Sequence, residues 1–282
     1  MTAGWIDRAE YPFESHRLDL GAGRLHYLDE GRGAPILMVH GTPTWSFLYR
    51  HLVKALRGRY RCVVPDHLGF GLSDRPARWS YRPQDQARNL ARLVEALGLK
   101  NFTLVVHDFG GPIGLSYAIE HPERVSRLVL FNTWMWSLED DPRIRLIGRV
   151  LGGRLGRVLY EHLGFSVRVL LRRAIADRSR YTAEVERHYL HPLDGHATWV
   201  YARELLGSSA WYDALWRRRE RLASIPALLA WGMKDPAFAR FLPRWRGVFD
   251  LAQVIELPDC GHAPPEERAP ELMPFLVQFL EA

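Results

Sequence analysis

The stretch NFTLVVHDFGGPIGLSYAIEHP, residues 101–122, leaves the chain few choices. Leu104, Val105 and Val106 form an apolar run of strand length. Asp108 follows, then Gly110 and Gly111, then a second apolar run with helical spacing. A strand that turns through glycines directly into a helix is one half of a βα unit. The neighbouring segments repeat the pattern. HRLDL and RLHYLDE read as a hairpin turning at GAGR, and PILMVHG as a buried strand. Helix SFLYRHLVKALRG, strand YRCVVPD and helix QDQARNLARLVEALGL precede the quoted stretch, and strand VSRLVLFN follows it. Late in the chain come strand ALLAWG, helix FARFLPRWRGVF, strand QVIELPD and helix APELMPFLVQFLEA.

Strands alternating with helices require a mainly parallel, twisted sheet covered on both faces. The α/β pattern is interrupted between residues 134 and 222. DPRIRLIGRVLGGRLGRVLYEHL, SVRVLLRRAIA, YTAEVERHYLHPL and HATWVYARELLG there all have helical spacing. The expected organisation is a core of residues 1–133 and 223–282 with a helical cap, 134–222, inserted after one strand. The length of 282 residues and an apolar fraction of 47% suit such a core.

Charge and cysteine content narrow the classes further. Two cysteines, Cys62 and Cys260, give neither a disulfide framework nor a zinc cluster. No apolar run reaches the ~18 residues of a membrane span, and the N-terminal residues lack the layout of an export signal. A cytoplasmic location is expected. The net charge is +6, and residues 134–222 hold 16 arginines against 11 acids. An anionic partner or membrane surface is one reading. A solvated helical face is the expected one, since 35 of the 38 basic residues in the chain are arginine. No nucleic-acid motif accompanies the charge.

In open sheets of this kind ligands gather at the carboxyl ends of the strands, and polar motifs sit there. His40, Gly41, Thr42 and Pro43 end one strand. The Thr42 N–H could face an oxyanion, or the segment could be an ordinary turn. Gly41 permits close backbone approach. The glycine-rich PDHLGFGLSD loop borders the same edge, with Asp66, His67 and Asp74 expected to serve local turns. Asp108 after an apolar run is costly unless partnered. It could cap the following helix or act as a nucleophile. His107 is expected to be a packed or turn residue. Asp235 in WGMKDPAF and His262 in DCGHAPPEE end the last two strands. Each could be structural alone. Together, in the order Asp108, Asp235, His262, they follow the chain order of a nucleophile–acid–histidine triad.

HGTPTWSFLYR, VVHDFGGPIGL, WGMKDPAF and DCGHAPPEE resemble the haloalkane dehalogenases and epoxide hydrolases of the α/β-hydrolase superfamily, and the resemblance spans essentially the whole chain. It implies Asp108 as nucleophile, His262 as base and Asp235 as the acid orienting His262. Some members of the family place the acid at the end of the strand before the cap, where this chain has Asn132. Dehalogenases of this type usually carry Asn after HG and Trp after the nucleophile, both holding the halide. Here Thr42 and Phe109 occupy those positions, and Phe109 has no polar hydrogen. Indole donors are available at Trp134, Trp136, Trp199, Trp211 and Trp216. The phenols Tyr160, Tyr181, Tyr189, Tyr201 and Tyr212 are available for the proton donation an epoxide needs, with Tyr201 first among them. Fluoroacetate dehalogenases carry Arg after the nucleophile, so Phe109 argues against small charged acids.

A carboxylate is ionised at neutral pH and needs no base for its first attack. It can displace a leaving group at carbon and form an ester on the enzyme. Water activated by His262 would then cleave that ester, with backbone N–H groups of Phe109 and Thr42 facing the oxyanion. No metal or organic cofactor is called for. The expected activity is haloalkane dehalogenase-like hydrolysis of a small apolar electrophile, with epoxide or β-lactone opening as alternatives. A ligand receptor reusing the fold is the non-enzymatic alternative.

Overall fold

The computed structural model describes residues 4–282; residues 1–3, the start of the segment read for an export signal, lie outside the described residues. Eight strands form one sheet: β1 (His16–Asp19), β2 (Arg24–Glu30), β3 (Pro35–Val39), β4 (Arg61–Pro65), β5 (Phe102–Asp108), β6 (Val125–Thr133), β7 (Ala227–Gly232) and β8 (Gln253–Leu257). Their order is β1-β2-β4-β3-β5-β6-β7-β8. The β1–β2 hairpin pairs antiparallel, β2 pairs antiparallel with β4, and every later pairing is parallel.

The helices in chain order are α1 (Arg50–Leu56), α2 (Pro83–Ala96), α3 (Gly110–Glu120), α4 (Pro142–Gly152), α5 (Arg154–Leu163), α6 (Arg172–Ala174), α7 (Ala183–Leu190), α8 (Gly195–Gly207), α9 (Ser209–Arg217), α10 (Leu242–Arg246), α11 (Pro264–Glu267) and α12 (Ala269–Glu281). Two apolar layers follow from the period-2 alternation of the central strands. Leu37, Val39, Leu104 and Val106 point into the layer that α2 and α3 complete. Ile36, Met38 and Val105 point into the layer completed by α1 and α12.

Helices α4–α9 lie between β6 and β7, the position of the inserted cap. The long helix expected over 141–163 is two helices, because the backbone turns extended at Gly153 (φ −82°, ψ −172°). The π-helical turn Ser166–Leu171 runs into α6. Helix α9, SAWYDALWR, has no counterpart among the segments expected from helical spacing. No helix among the described residues is long and apolar enough to cross a membrane.

Candidate active site

Parallel β3, β5, β6 and β7 end on the same edge of the sheet, and this edge brings the sequence motifs together. Asp108 is the last residue of β5. The β5–β6 register slips between His107 and Asp108, and Asp108 takes φ +52°, in the left-handed region that L-residues avoid. The turn is held from three sides. Thr133 Oγ1 donates to the Asp108 carbonyl at 2.6 Å. A Cβ at Gly110 would meet the Val39 carbonyl oxygen at 2.1 Å, and one at Gly111 would meet Thr133 Oγ1 at 1.8 Å. The glycines are therefore required by close approach, and the strained Asp108 backbone is over-determined by its surroundings. Phe109 stands at the N-cap of α3 with no side-chain capping bond, so Asp108 does not cap that helix.

The Asp108 side chain is buried and faces two partners. The Thr42 N–H donates to Oδ1 at 2.8 Å. His262 Nε2 lies 3.5 Å from Oδ2. Among the described residues Thr42 is the only backbone N–H donor to this carboxylate. The Phe109 N–H, expected to face the oxyanion of the later intermediate, makes no bond to the unreacted carboxylate. Gly41 gives the carboxylate room, since a Cβ there would sit 2.1 Å from Asp108 Oδ1. His40 shapes the same turn: it bonds through Nδ1 to its neighbouring carbonyl, Gly41 O, at 2.7 Å, and its Nε2 accepts the His67 N–H at 3.0 Å. Burial holds the His40 pKa below the ordinary imidazole value, which suits this neutral structural role. The Thr42–Pro43 peptide bond is cis.

His262 Nδ1 is 2.7 Å from Asp235 Oδ2. Burial opposes the imidazolium, but the carboxylates of Asp235 and Asp108 outweigh it and raise the His262 pKa to about 10. Asp235 is lowered despite its own burial, by the His262 charge and bond and by the Ala237 and Phe238 N–H groups on Oδ1. Asn132 adds a contact to which the sequence attaches no role. It takes φ +22°, donates to Asp235 Oδ2 at 2.8 Å and to the Gly232 carbonyl at 3.0 Å, and accepts the Gly232 N–H at 2.7 Å. A polar amide closing the apolar run VLFN was the available signal.

Two buried glutamates, also missed, fix the histidine loop. Glu267 accepts the Gly261 N–H at 3.0 Å, and the Ala176 and Asp177 N–H groups at 2.8 and 2.9 Å. The His262 N–H donates to the Ala174 carbonyl at 2.9 Å. His107, read as a packing residue, bonds through Nε2 to the His262 carbonyl at 2.8 Å. Glu266 pairs with both terminal nitrogens of Arg50 and accepts from Tyr189 Oη, joining α1, α7 and α11. The loop of His262 is thus tied both to the sheet and to the cap.

The expected cap donors separate into two groups. Trp199 Nε1 already donates to the Gly153 carbonyl, Tyr189 to Glu266 and Tyr212 to the Glu204 carbonyl. Trp136 packs with Trp216, Trp245 and Phe241, and Trp211 packs on Tyr212. Tyr181 stacks on Tyr189 in the other apolar layer, where its own hydroxyl is also without a partner but away from Phe109. Nearer the nucleophile, Trp134 Nε1, Tyr201 Oη and Thr42 Oγ1 are buried and donate no hydrogen bond, with the Gln86 amide beside the Tyr201 oxygen. The Trp134 and Tyr201 rings flank Phe109, with centroids 4.7 and 4.6 Å away. Burial and the Asp108 charge push the Tyr201 and Tyr160 hydroxyls above the ordinary phenol value. Asp66, expected to serve its own turn, takes the Leu72 N–H there but also reaches the Ser46 N–H and pairs with His26. Asp74 binds the backbone and side chain of Arg24.

Known proteins share this architecture. Residues 34–157 match the family model described as alpha/beta hydrolase fold. The chain is 38% identical over 259 residues to haloalkane dehalogenase 2 of Mycobacterium bovis, covering 89% of this chain and 90% of the relative. It is 35% identical over 284 residues to a cis-3-alkyl-4-alkyloxetan-2-one decarboxylase of Shewanella oneidensis, covering 95% of this chain and 89% of that protein. The crystal structure of a haloalkane dehalogenase from Agrobacterium tumefaciens superposes with a TM-score of 0.82 at 24% identity, over 95% of this chain and 96% of that one. With its sheet, inserted cap and relatives matched over most of their length, the chain belongs to the α/β-hydrolase fold family, as an enzyme related to the haloalkane dehalogenases.

Proposed function

We propose that the protein opens small apolar carbon electrophiles through an ester on Asp108, in haloalkane dehalogenase-like steps that involve no cofactor. The observation that carries this reading is the placement of one carboxylate between the Thr42 N–H and His262 Nε2. Oδ2 attacks carbon, and the leaving group departs with its bonding electrons. The new ester carries no charge, so His262 loses one of the two anions that hold its proton. It releases that proton and becomes the base that accepts one from water. The hydroxide attacks the carboxyl carbon, and charge develops on Oδ1 beside the Thr42 N–H. Collapse releases an alcohol that carries the former Oδ2, protonated by His262, while the water oxygen stays on Asp108. Asp235 orients His262 and stabilises its charged form.

The leaving group needs hydrogen-bond donors that Phe109 does not supply. Trp134 Nε1 and Tyr201 Oη flank it and donate no bond, and Thr42, bonded to Asp108 through its N–H, has an unpaired Oγ1. A halide needs only the N–H and O–H dipoles. An epoxide's alkoxide also draws on the Tyr201 proton, whereas a β-lactone's carboxylate, like a halide, needs only the dipoles; the phenol beside Phe109 supports epoxide opening as the second reading, with β-lactone opening beside it. The oxetanone specificity named for the Shewanella relative belongs to the same class.

The test is a panel of bromoalkanes, chloroalkanes, epoxides and β-lactones incubated with the His262→Gln variant. Mass spectrometry should find the alkyl adduct on Asp108 for the productive class. An adduct on another residue overturns the assignment. Trp134→Phe should lower halide release about tenfold or more while leaving thermal stability near that of the wild type; an unchanged rate removes Trp134 from the site.

A further inference from the structure

Helices α4 and α5 are built inside out for a surface pair. Their inner faces rest on α8 through small residues: a Cβ at Gly148 would lie 2.9 Å from the Leu206 side chain, and one at Gly152 would lie 2.9 Å from the Arg203 backbone. Ile144 and Tyr160 complete the buried side. The bulky apolar residues point outward. Leu146 is 67% exposed and Leu155 63%, with Ile147, Val150, Val158 and Leu163 each about half exposed or more. Single exposed apolar side chains need no explanation, but six on two adjacent helices form a patch of the kind that marks an interaction surface.

The charge around the patch selects the partner. Arg143, Arg145, Arg149 and Arg154 are exposed on the same two helices and form no ion pair among the described residues. Residues 142–163 hold five arginines and a single acid, Glu161, which pairs with Arg157. Of the three acids just before α4, Asp141 caps the helix and pairs with Arg240, and Glu139 and Asp140 are exposed at its N-terminal end, away from the arginines of α5. Exposed Leu, Ile and Val interleaved with unpaired arginines are the makings of a helix that lies in the headgroup region of an anionic bilayer, apolar side chains inward and guanidinium groups on phosphates.

We propose that the α4–α5 face of the cap docks on anionic membrane surfaces. The partner is a lipid bilayer bearing negative headgroups, and the contact is peripheral, with no helix crossing. Tyr201 of α8, the helix beneath this face, packs on Phe109. The surface is independent of the reaction proposed above, since none of its residues touches the triad.

Sedimentation with sucrose-loaded vesicles tests it, using the full chain with phosphatidylcholine alone and with phosphatidylcholine containing roughly 30% phosphatidylglycerol at roughly 0.1 M salt. Wild type should bind the anionic vesicles at least tenfold more tightly than the neutral ones, and should lose most of that binding at about 0.5 M salt. At about fivefold per surface arginine, the triple variant Arg145→Glu, Arg149→Glu, Arg154→Glu should bind at least a hundredfold more weakly. Leu146→Ser with Leu155→Ser should reduce binding about tenfold while circular dichroism and hydrolytic rate stay at wild-type values. Equal or absent binding to the two vesicle types overturns the proposal, as does binding that survives both sets of substitutions. A wild-type oligomer that Leu146→Ser with Leu155→Ser turns monomeric, without vesicle binding, would assign the face to a protein contact instead.

Discussion

His262 Nε2 lies 3.5 Å from Asp108 Oδ2, so the imidazole is set between two carboxylates, with Asp235 at 2.7 Å on its other nitrogen. Those two anions hold the ring protonated through neutral pH in the free protein, with a pKa of about 10. A protonated histidine is no base. In the proposed mechanism esterification of Asp108 would resolve the conflict, because it would remove one anion at the step before a base is needed.

The first prediction concerns that titration. The His262 ring resonances, followed by NMR, should titrate near pH 10 in the wild type and at distinctly lower pH in Asp108→Asn. The folded value lies above the ordinary imidazole value of about 6.5. Its contribution to stability is therefore fully present below about pH 6.5 and is lost as pH rises through about 10. Melting temperatures should fall over that window, and fall less in Asp108→Asn. Identical titration of the two proteins would show that Asp108 does not govern His262.

Asn132 is the second target. Its amide latches Asp235 to the end of β7, and Asn132→Ala removes three bonds inside a buried network. The loss expected is about 1–3 kcal/mol of stability and at least tenfold in kcat, with KM nearly unchanged because Asn132 does not face substrate. Denaturant melts and steady-state rates check both. Wild-type kcat in the variant would mean that Asp235 holds its place without help.

The third concerns the turn at Asp108. Gly110→Ala puts a methyl group 2.1 Å from the Val39 carbonyl oxygen, a backbone atom of the central strand that cannot swing aside. A loss of more than about 3 kcal/mol is expected, the range of severe overpacking and strain. Gly58→Ala, where a Cβ meets nothing within 4 Å, is the control and should be close to neutral. Chemical denaturation of both variants measures the contrast.

Glu267 carries the fourth. Its carboxylate gathers the N–H groups of Gly261, Ala176 and Asp177. Glu267→Gln keeps the shape, removes the charge and turns one acceptor into a donor facing donors. About 2–3 kcal/mol should be lost. Hydrogen exchange should quicken at residues 174–177 and 261–263 together, since one side chain holds both. Faster exchange in only one of the two segments would refute the coupling.

Much of this protein was legible in the chain. The continuous apolar runs in PILMV, FTLVV and ALLAWG set the doubly covered strands, and periodicity set most of the helices, because burial depends on local spacing. Asp108, Asp235 and His262 could be placed at strand ends for the same reason. The break at Gly153 and helix α9 were not legible: a glycine pair is compatible with a continuous helix, and SAWYDALWR is too short and mixed in character to declare itself.

What tertiary structure alone decided are the relationships between residues far apart in the chain. The sequence offered five indoles and five phenols as donors but not which of them are left free. Only packing shows that Trp199, Tyr189 and Tyr212 are already bonded, while Trp134 and Tyr201 donate no bond around Phe109. Asn132, Glu266 and Glu267 likewise gain their parts from partners brought in by folding. Sequence period records which face of an element is buried; which hydrogen-bond donor is left without a partner depends on every neighbour the fold assembles around it.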